Sequence, residues 1–105
     1  ESYDYYGEKL SEAVTTAEMV EYSARRYEFS DECLNYIWNL IRYHVAEQSY
    51  QEILTKQRAW IVEKEEKAKE VSAEYEGGSF ALVSYYDVLA ELTMTRCEEL
   101  IEYLK

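Results

Sequence analysis

The chain has 105 residues, no proline and three glycines (Gly7, Gly77, Gly78). A sandwich or barrel needs a turn signal every ~8–12 residues, yet neither breaker occurs from residue 8 to residue 76. That excludes a sheet fold and points to an all-α domain of few, long helices. Acids outnumber bases 22 to 11, for a net charge of −11. Such a chain is a poor ligand for phosphate backbones and for anionic membrane surfaces. A cationic partner suits it, and solubility alone also accounts for the charge.

Residues 1–14 show no helical period and read as a flexible lead-in, with a single domain over residues 15–105. Thr15 and Glu18 have the spacing of a capping box and predict a helix from Thr16 to about Glu47. Its inner face is Val20, Tyr27, Leu34 and Ile41 with Met19, Ser23, Ser30 and Ile37, and a bend is allowed near Ser30. A tight turn is expected at residues 46–50. The next helix is predicted from about Ser49 to Tyr75. Its apolar stripe is Leu54, Ile61, Ala68 and Tyr75, edged by Ile53, Gln57, Trp60, Lys64 and Val71. Glu63, Glu66, Lys67, Glu70 and Glu74 form the solvated face, with Glu63–Lys67 an (i, i+4) pair. Gly77, Gly78 and Ser79 break the chain, through a left-handed glycine cap and a serine N-cap. The last helix is predicted from Phe80 to Tyr103, with Leu82, Tyr85 or Tyr86, Leu89, Leu92, Arg96, Leu100 and Leu104 inward. Ser84 and Asp87 offer an alternative start. Three such helices joined by short turns pack up-down-up. No segment reaches the ~18 apolar residues of a membrane span.

Catalytic and metal chemistry finds little support. His44 is the only histidine, and it has no second ligand at zinc spacing. A di-iron site would need Glu-x-x-His pairs, and Gly77–Gly78 lacks the lysine of a phosphate loop. The expectation is a protein without enzymatic activity, metal or cofactor. Gln57 and Trp60 share one helix face, and Thr93 and Arg96 share another. Arg96 either ties the helices through Gln57 or a carboxylate such as Asp31, or lines a polar recognition patch with them.

The ordered set of Thr15, Ala17, Glu18 and Met19, then Asp31, Leu34 and Asn35, then Gln57–Arg58–Ala59–Trp60–Ile61 forms a pattern. It continues through Gly77–Gly78–Ser79 and Leu89–Ala90–Glu91–Leu92–Thr93 to Arg96 and Leu100. Over residues 14–104 it resembles the N-terminal domain of the lysozyme-inhibitor LprI-like family, formerly a domain of unknown function. The resemblance implies a small helical domain exported from bacteria, in the periplasm or as a lipoprotein anchored upstream of residue 1. It marks Asp31, Asn35, Gln57, Arg58, Trp60, Thr93 and Arg96 as the family-motif cluster. Family members carry cysteines where Tyr22, Ala68 and Val88 stand here, so the family's disulfides are absent. Cys33 and Cys97 lie equally far from the predicted helix starts Thr16 and Phe80, at matching heights on parallel helices. They form either a substitute bridge or two free thiols.

Two functions follow. One is a protein that binds or inhibits a cationic cell-wall hydrolase such as lysozyme. Its acidic surface would be Glu63, Glu65, Glu66, Glu70, Glu74 and Glu76, with Tyr75 as an anchor. The other is an interaction module of the cell envelope with no inhibitory activity.

Overall fold

Thr15 opens the first long helix as its spacing predicts. Its backbone is extended (φ −116°, ψ 154°), and its Oγ1 accepts a hydrogen bond from the Glu18 amide at 3.1 Å. The Thr15 hydroxyl in turn donates to Glu18 Oε1 at 3.2 Å. The computed structural model describes residues 3–12, 15–75, 78 and 80–105. Among these are four α-helices and no strand. They are α1 (Tyr3–Glu12), α2 (Thr16–His44), α3 (Glu47–Ser72) and α4 (Phe80–Ile101). One-turn 3-10 segments at Ala73–Tyr75 and Glu102–Leu104 extend α3 and α4.

Residues 3–12 correct the expected lead-in, because they form a helix that folds back on α2. Its anchor is Arg26 of α2, whose guanidinium lies 4.1 Å from the Tyr3 ring centre. Tyr3, Tyr6 and Leu10 share the inner face at i, i+3 and i+7, a stripe too short to stand out in ten residues.

Helix α2 runs unbroken through Ser30 for 29 residues. Ser23 Oγ donates to the Met19 carbonyl at 2.8 Å, and Ser30 Oγ to the Tyr27 carbonyl at 2.7 Å. Satisfied within their own helix, both serines are wholly buried, as buried polar groups require. Their small size, with that of Ala90 and Cys97 across the interface, lets α2 and α4 pack closely. The chain then reverses over Val45 and Ala46 with extended backbone at both. Reversal is this short because Val45 N–H still bonds to Ile41 O and Tyr50 N–H already bonds to Ala46 O. Helix α3 therefore starts two residues before the predicted Ser49.

Beyond α3, Gly78 N–H bonds to Tyr75 O and Gly78 O accepts from Ala81 N–H. Gly77 and Ser79, on which the expected caps partly rest, lie outside the described residues. Helix α4 begins at Phe80 rather than after Ser84, since Asp87 is engaged by Arg26 of α2.

Paired residues give the directions of the helices. Arg26 meets Asp87 and Cys97 Sγ reaches Ser30 O, so α2 and α4 run parallel. Tyr27 meets Lys64 and Trp38 meets Tyr50, so α3 runs antiparallel to α2. Helix α4 is wedged between α2 and α3, and the Cα trace is flattened to 48 × 29 × 14 Å. The main core is Leu34, Ile37, Ile41, Ile53, Cys97 and Leu100.

One face differs from the sequence pattern. On α3 the buried residues are Ile53, Gln57, Lys64 and Ala68, whereas Ile61 and Tyr75 are exposed. The predicted edge of the stripe is its centre. Two polar residues sit there because each meets a tertiary partner, which an apolar count cannot register. On α4, Leu89 and Leu100 are buried as expected, Val83, Ala90, Thr93 and Cys97 are buried beside them, and Leu82 is exposed. Lys67 pairs with Glu70 at 3.8 Å rather than with Glu63.

Candidate functional site

Because α4 holds α2 and α3 apart, a groove of about 350 Å³ opens between those two helices. Its α2 wall carries Asp31, Leu34, Asn35 and Trp38. On the α3 side stand Leu54, Gln57, Arg58, Trp60, Ile61 and Lys64. Helical spacing produces both walls: residues three and four apart share a face. Five of the seven expected motif residues, Asp31, Asn35, Gln57, Arg58 and Trp60, thus line one concavity. The remaining two, Thr93 and Arg96, belong to α4.

Arg96 reaches the groove wall through Gln57, whose Oε1 accepts from Arg96 Nε at 2.8 Å. Its carboxylate partner is Glu99, 3.3 Å from Nη1, and not Asp31. Nη2 is buried without a partner. Gln57 is itself buried, so its amide oxygen is held by the arginine and its amide nitrogen is left over for other acceptors. Thr93 is wholly buried with its Oγ1 unpartnered, and it serves the α4 packing surface.

Lys64, expected only at the edge of a stripe, is the buried cation of the groove. It is 7% exposed. Its Nζ donates to Tyr27 Oη at 3.2 Å and stands 4.9 Å from the Trp60 ring centre and 5.4 Å from that of Tyr27. Aromatic faces attract ammonium groups, and this accounts for a lysine inside an interface. Trp38 was not singled out by sequence reasoning. The signal was present all the same: once the chain reverses at residues 45–46, antiparallel pairing brings Trp38 over Tyr50, with ring centres 5.6 Å apart. The chain's two tryptophans therefore both line the groove.

The expected acidic surface has a different character. Glu63, Glu65, Glu66, Glu70 and Glu74 are all exposed along the outer side of α3. Glu76 lies outside the described residues. Tyr75 is 43% exposed and rests edge-on against Phe80, with centroids 5.0 Å apart. The face offers charge and one aromatic edge, Tyr75, which lines a hollow with Leu10, Met19, Phe80 and Val83.

Cys33 and Cys97 are both free thiols. Burial pushes the Cys97 thiol up to about 11 from 9.0, and nearby Cys33 adds to the shift. The Cys97 thiol is thus moved away from the depressed pKa of a nucleophile. His44 is exposed at the end of α2, where a basic residue complements the helix dipole. Among the described residues, no group of His, Cys, Asp and Glu could hold a metal ion, and no helix is long and apolar enough to cross a membrane.

Among known proteins, residues 8–100 match the family model described as lysozyme inhibitor LprI. No curated protein and no solved structure matches the chain.

Proposed function

The chain belongs to the lysozyme inhibitor LprI family, and on that premise we propose that it binds and inhibits a cationic cell-wall hydrolase of the lysozyme type. The observation that carries this reading is the run of exposed carboxylates on α3 and the 3-10 turn that extends it, Glu63, Glu66, Glu70 and Glu74. Acidic complementarity steers a basic partner and raises its association rate. In a chain of net charge −11, the long-range field favours the same encounter. The family also supports a location outside the cytoplasm, in the cell envelope.

A cell-wall lysis assay tests the proposal. At low ionic strength an excess of the protein slows lysis, and the effect fades as salt is added, because exposed charges are screened within about 10 Å at 0.1 M. A variant carrying Glu63→Gln, Glu66→Gln, Glu70→Gln and Glu74→Gln requires more protein for the same inhibition. Undiminished lysis at excess protein rejects the inhibitor reading. A complex that forms without slowing lysis favours the alternative, an interaction module of the envelope.

A further inference from the structure

In a chain with twice as many acids as bases, one would expect every buried cation to have a carboxylate partner. The α2–α3 groove departs from this. Lys64 is buried there with a single oxygen neighbour, Tyr27 Oη, although an ammonium has three donors. No carboxylate pairs with it among the described residues. Arg58 stands exposed on the same wall, also without a carboxylate partner among the described residues. Arg96, fixed behind Gln57, keeps a buried and unpartnered Nη2. Arg58 is open to water and Arg96 is paired with Glu99, so among the described residues Lys64 alone is a buried cation without a carboxylate; such a charge is costly, and a bound anion offsets that cost.

Between the cations the groove carries both polar side chains (Asp31, Asn35, Gln57) and apolar ones. Trp38, Leu54 and Ile61 form its far end and one rim, and Ile61 is 42% exposed. Register orders these features along the helices. Lys64 lies at the level of Tyr27, and Trp38 at the level of Tyr50, so the buried cation and Trp38 occupy opposite ends, with Arg58 between them one turn from Leu54.

We propose that this groove receives a segment of a partner protein presenting a carboxylate beside a large apolar side chain. The carboxylate docks on Lys64 and Arg58, and the apolar group lies against Trp38 and Leu54. Asp31, the one acid lining the groove, accepts backbone N–H groups of the segment, and the free amide nitrogen of Gln57 donates to its carbonyls. The mode is that of a short amphipathic segment in a groove, with pockets for side chains and polar groups for register. It requires neither lysozyme nor the acidic face of α3, and its failure would leave that reading untouched.

Both tryptophans line the groove, so intrinsic fluorescence reports occupancy directly. The probe is N-acetyl-leucine, compared with its uncharged amide. A saturable change is expected with the acid, and binding about tenfold weaker with the amide, the loss that follows when one charged contact of modest strength is removed. Lys64→Met is expected to weaken the acid about tenfold while leaving the amide unchanged. Should Lys64→Met fail to fold, Arg58→Gln, on an exposed position, weakens the acid severalfold with an unaltered circular dichroism spectrum. Equal affinity for acid and amide overturns the proposal, as does the absence of a saturable response up to the solubility limit of the probe.

Discussion

Arg96 shows how a single side chain joins two helices. Its Nε bond to Gln57 spans α4 and α3, and the guanidinium is 11% exposed. Arg96→Ala is expected to cost about 2 kcal/mol, below the 3–5 of a fully buried pair because Glu99 and solvent share the charge. Gln57→Ala costs less, and the double variant less than the sum of the two, since both remove one bond. Urea denaturation of the four proteins measures the coupling, and strict additivity would show that the bond carries no energy. Cys97 makes a prediction in pH. Its thiol is raised from 9.0 to about 11, so the folded state favours the protonated form. The associated stability is fully present below pH 9 and is lost as pH rises towards 11. A Cys97→Ala variant should show a shallower decline in denaturation midpoint across that window. At neutral pH a thiol reagent should modify half-buried Cys33 before Cys97, which mass spectrometry resolves. Neither thiol's burial was readable beforehand, because spacing placed the two cysteines at one height without saying which way each faced.

At the scale of elements, the long helices were legible because their signals are local. Thr15 and Glu18 mark a start, an uninterrupted 3–4 spacing marks a body, and two extended residues suffice for the reversal. Thr15→Ala removes the bond to the Glu18 amide and should cost about 1 kcal/mol, visible as a lower thermal midpoint. Helix α1 was not legible. Ten residues are too few for independent stability, and the short stripe it does carry, Tyr3, Tyr6 and Leu10 at i, i+3 and i+7, is broken up by Gly7 and by acids. Beside the buried Tyr6, what holds it is Arg26, which touches Tyr3, Asp87 and Glu91 and so joins α1 to α2 and α4. Arg26→Ala should therefore release α1 selectively. Amide exchange of residues 3–12 is expected to accelerate while that of the Ile37–Ile41 segment stays slow. Uniform acceleration would mean that α1 is not a separable unit.

For the whole molecule, net charge has two consequences of opposite sign in salt. Self-repulsion among 22 acids and 11 bases destabilises the compact state, so added sodium chloride should raise the thermal midpoint. The same salt should weaken a complex with a cationic hydrolase. Melting curves and binding titrations over one salt series test both, and a complex indifferent to salt would remove the acidic face of α3 from the interface. The flattened arrangement, with α4 wedged between its neighbours, also decides where a concavity can exist. Had α2 and α3 packed directly on each other, Trp38, Trp60 and Lys64 would be core residues and no groove would remain between them.

The sequence by itself determined the all-helical class, the position of the reversals to within a few residues and the acidic outer face of α3. Each of these follows from local propensity, capping or charge, which need no knowledge of distant residues. It also held the family motif, five members of which share the groove. Tertiary structure alone decided which face of α3 is buried and that α1 forms. It also decided that Lys64 lies inside, between aromatic rings. Those outcomes rest on partners far apart in the chain: Gln57 with Arg96, Lys64 with Tyr27, and Tyr3 with Arg26. A polar residue counts against burial in any periodic pattern until its partner is known, and only the folded chain supplies the partner.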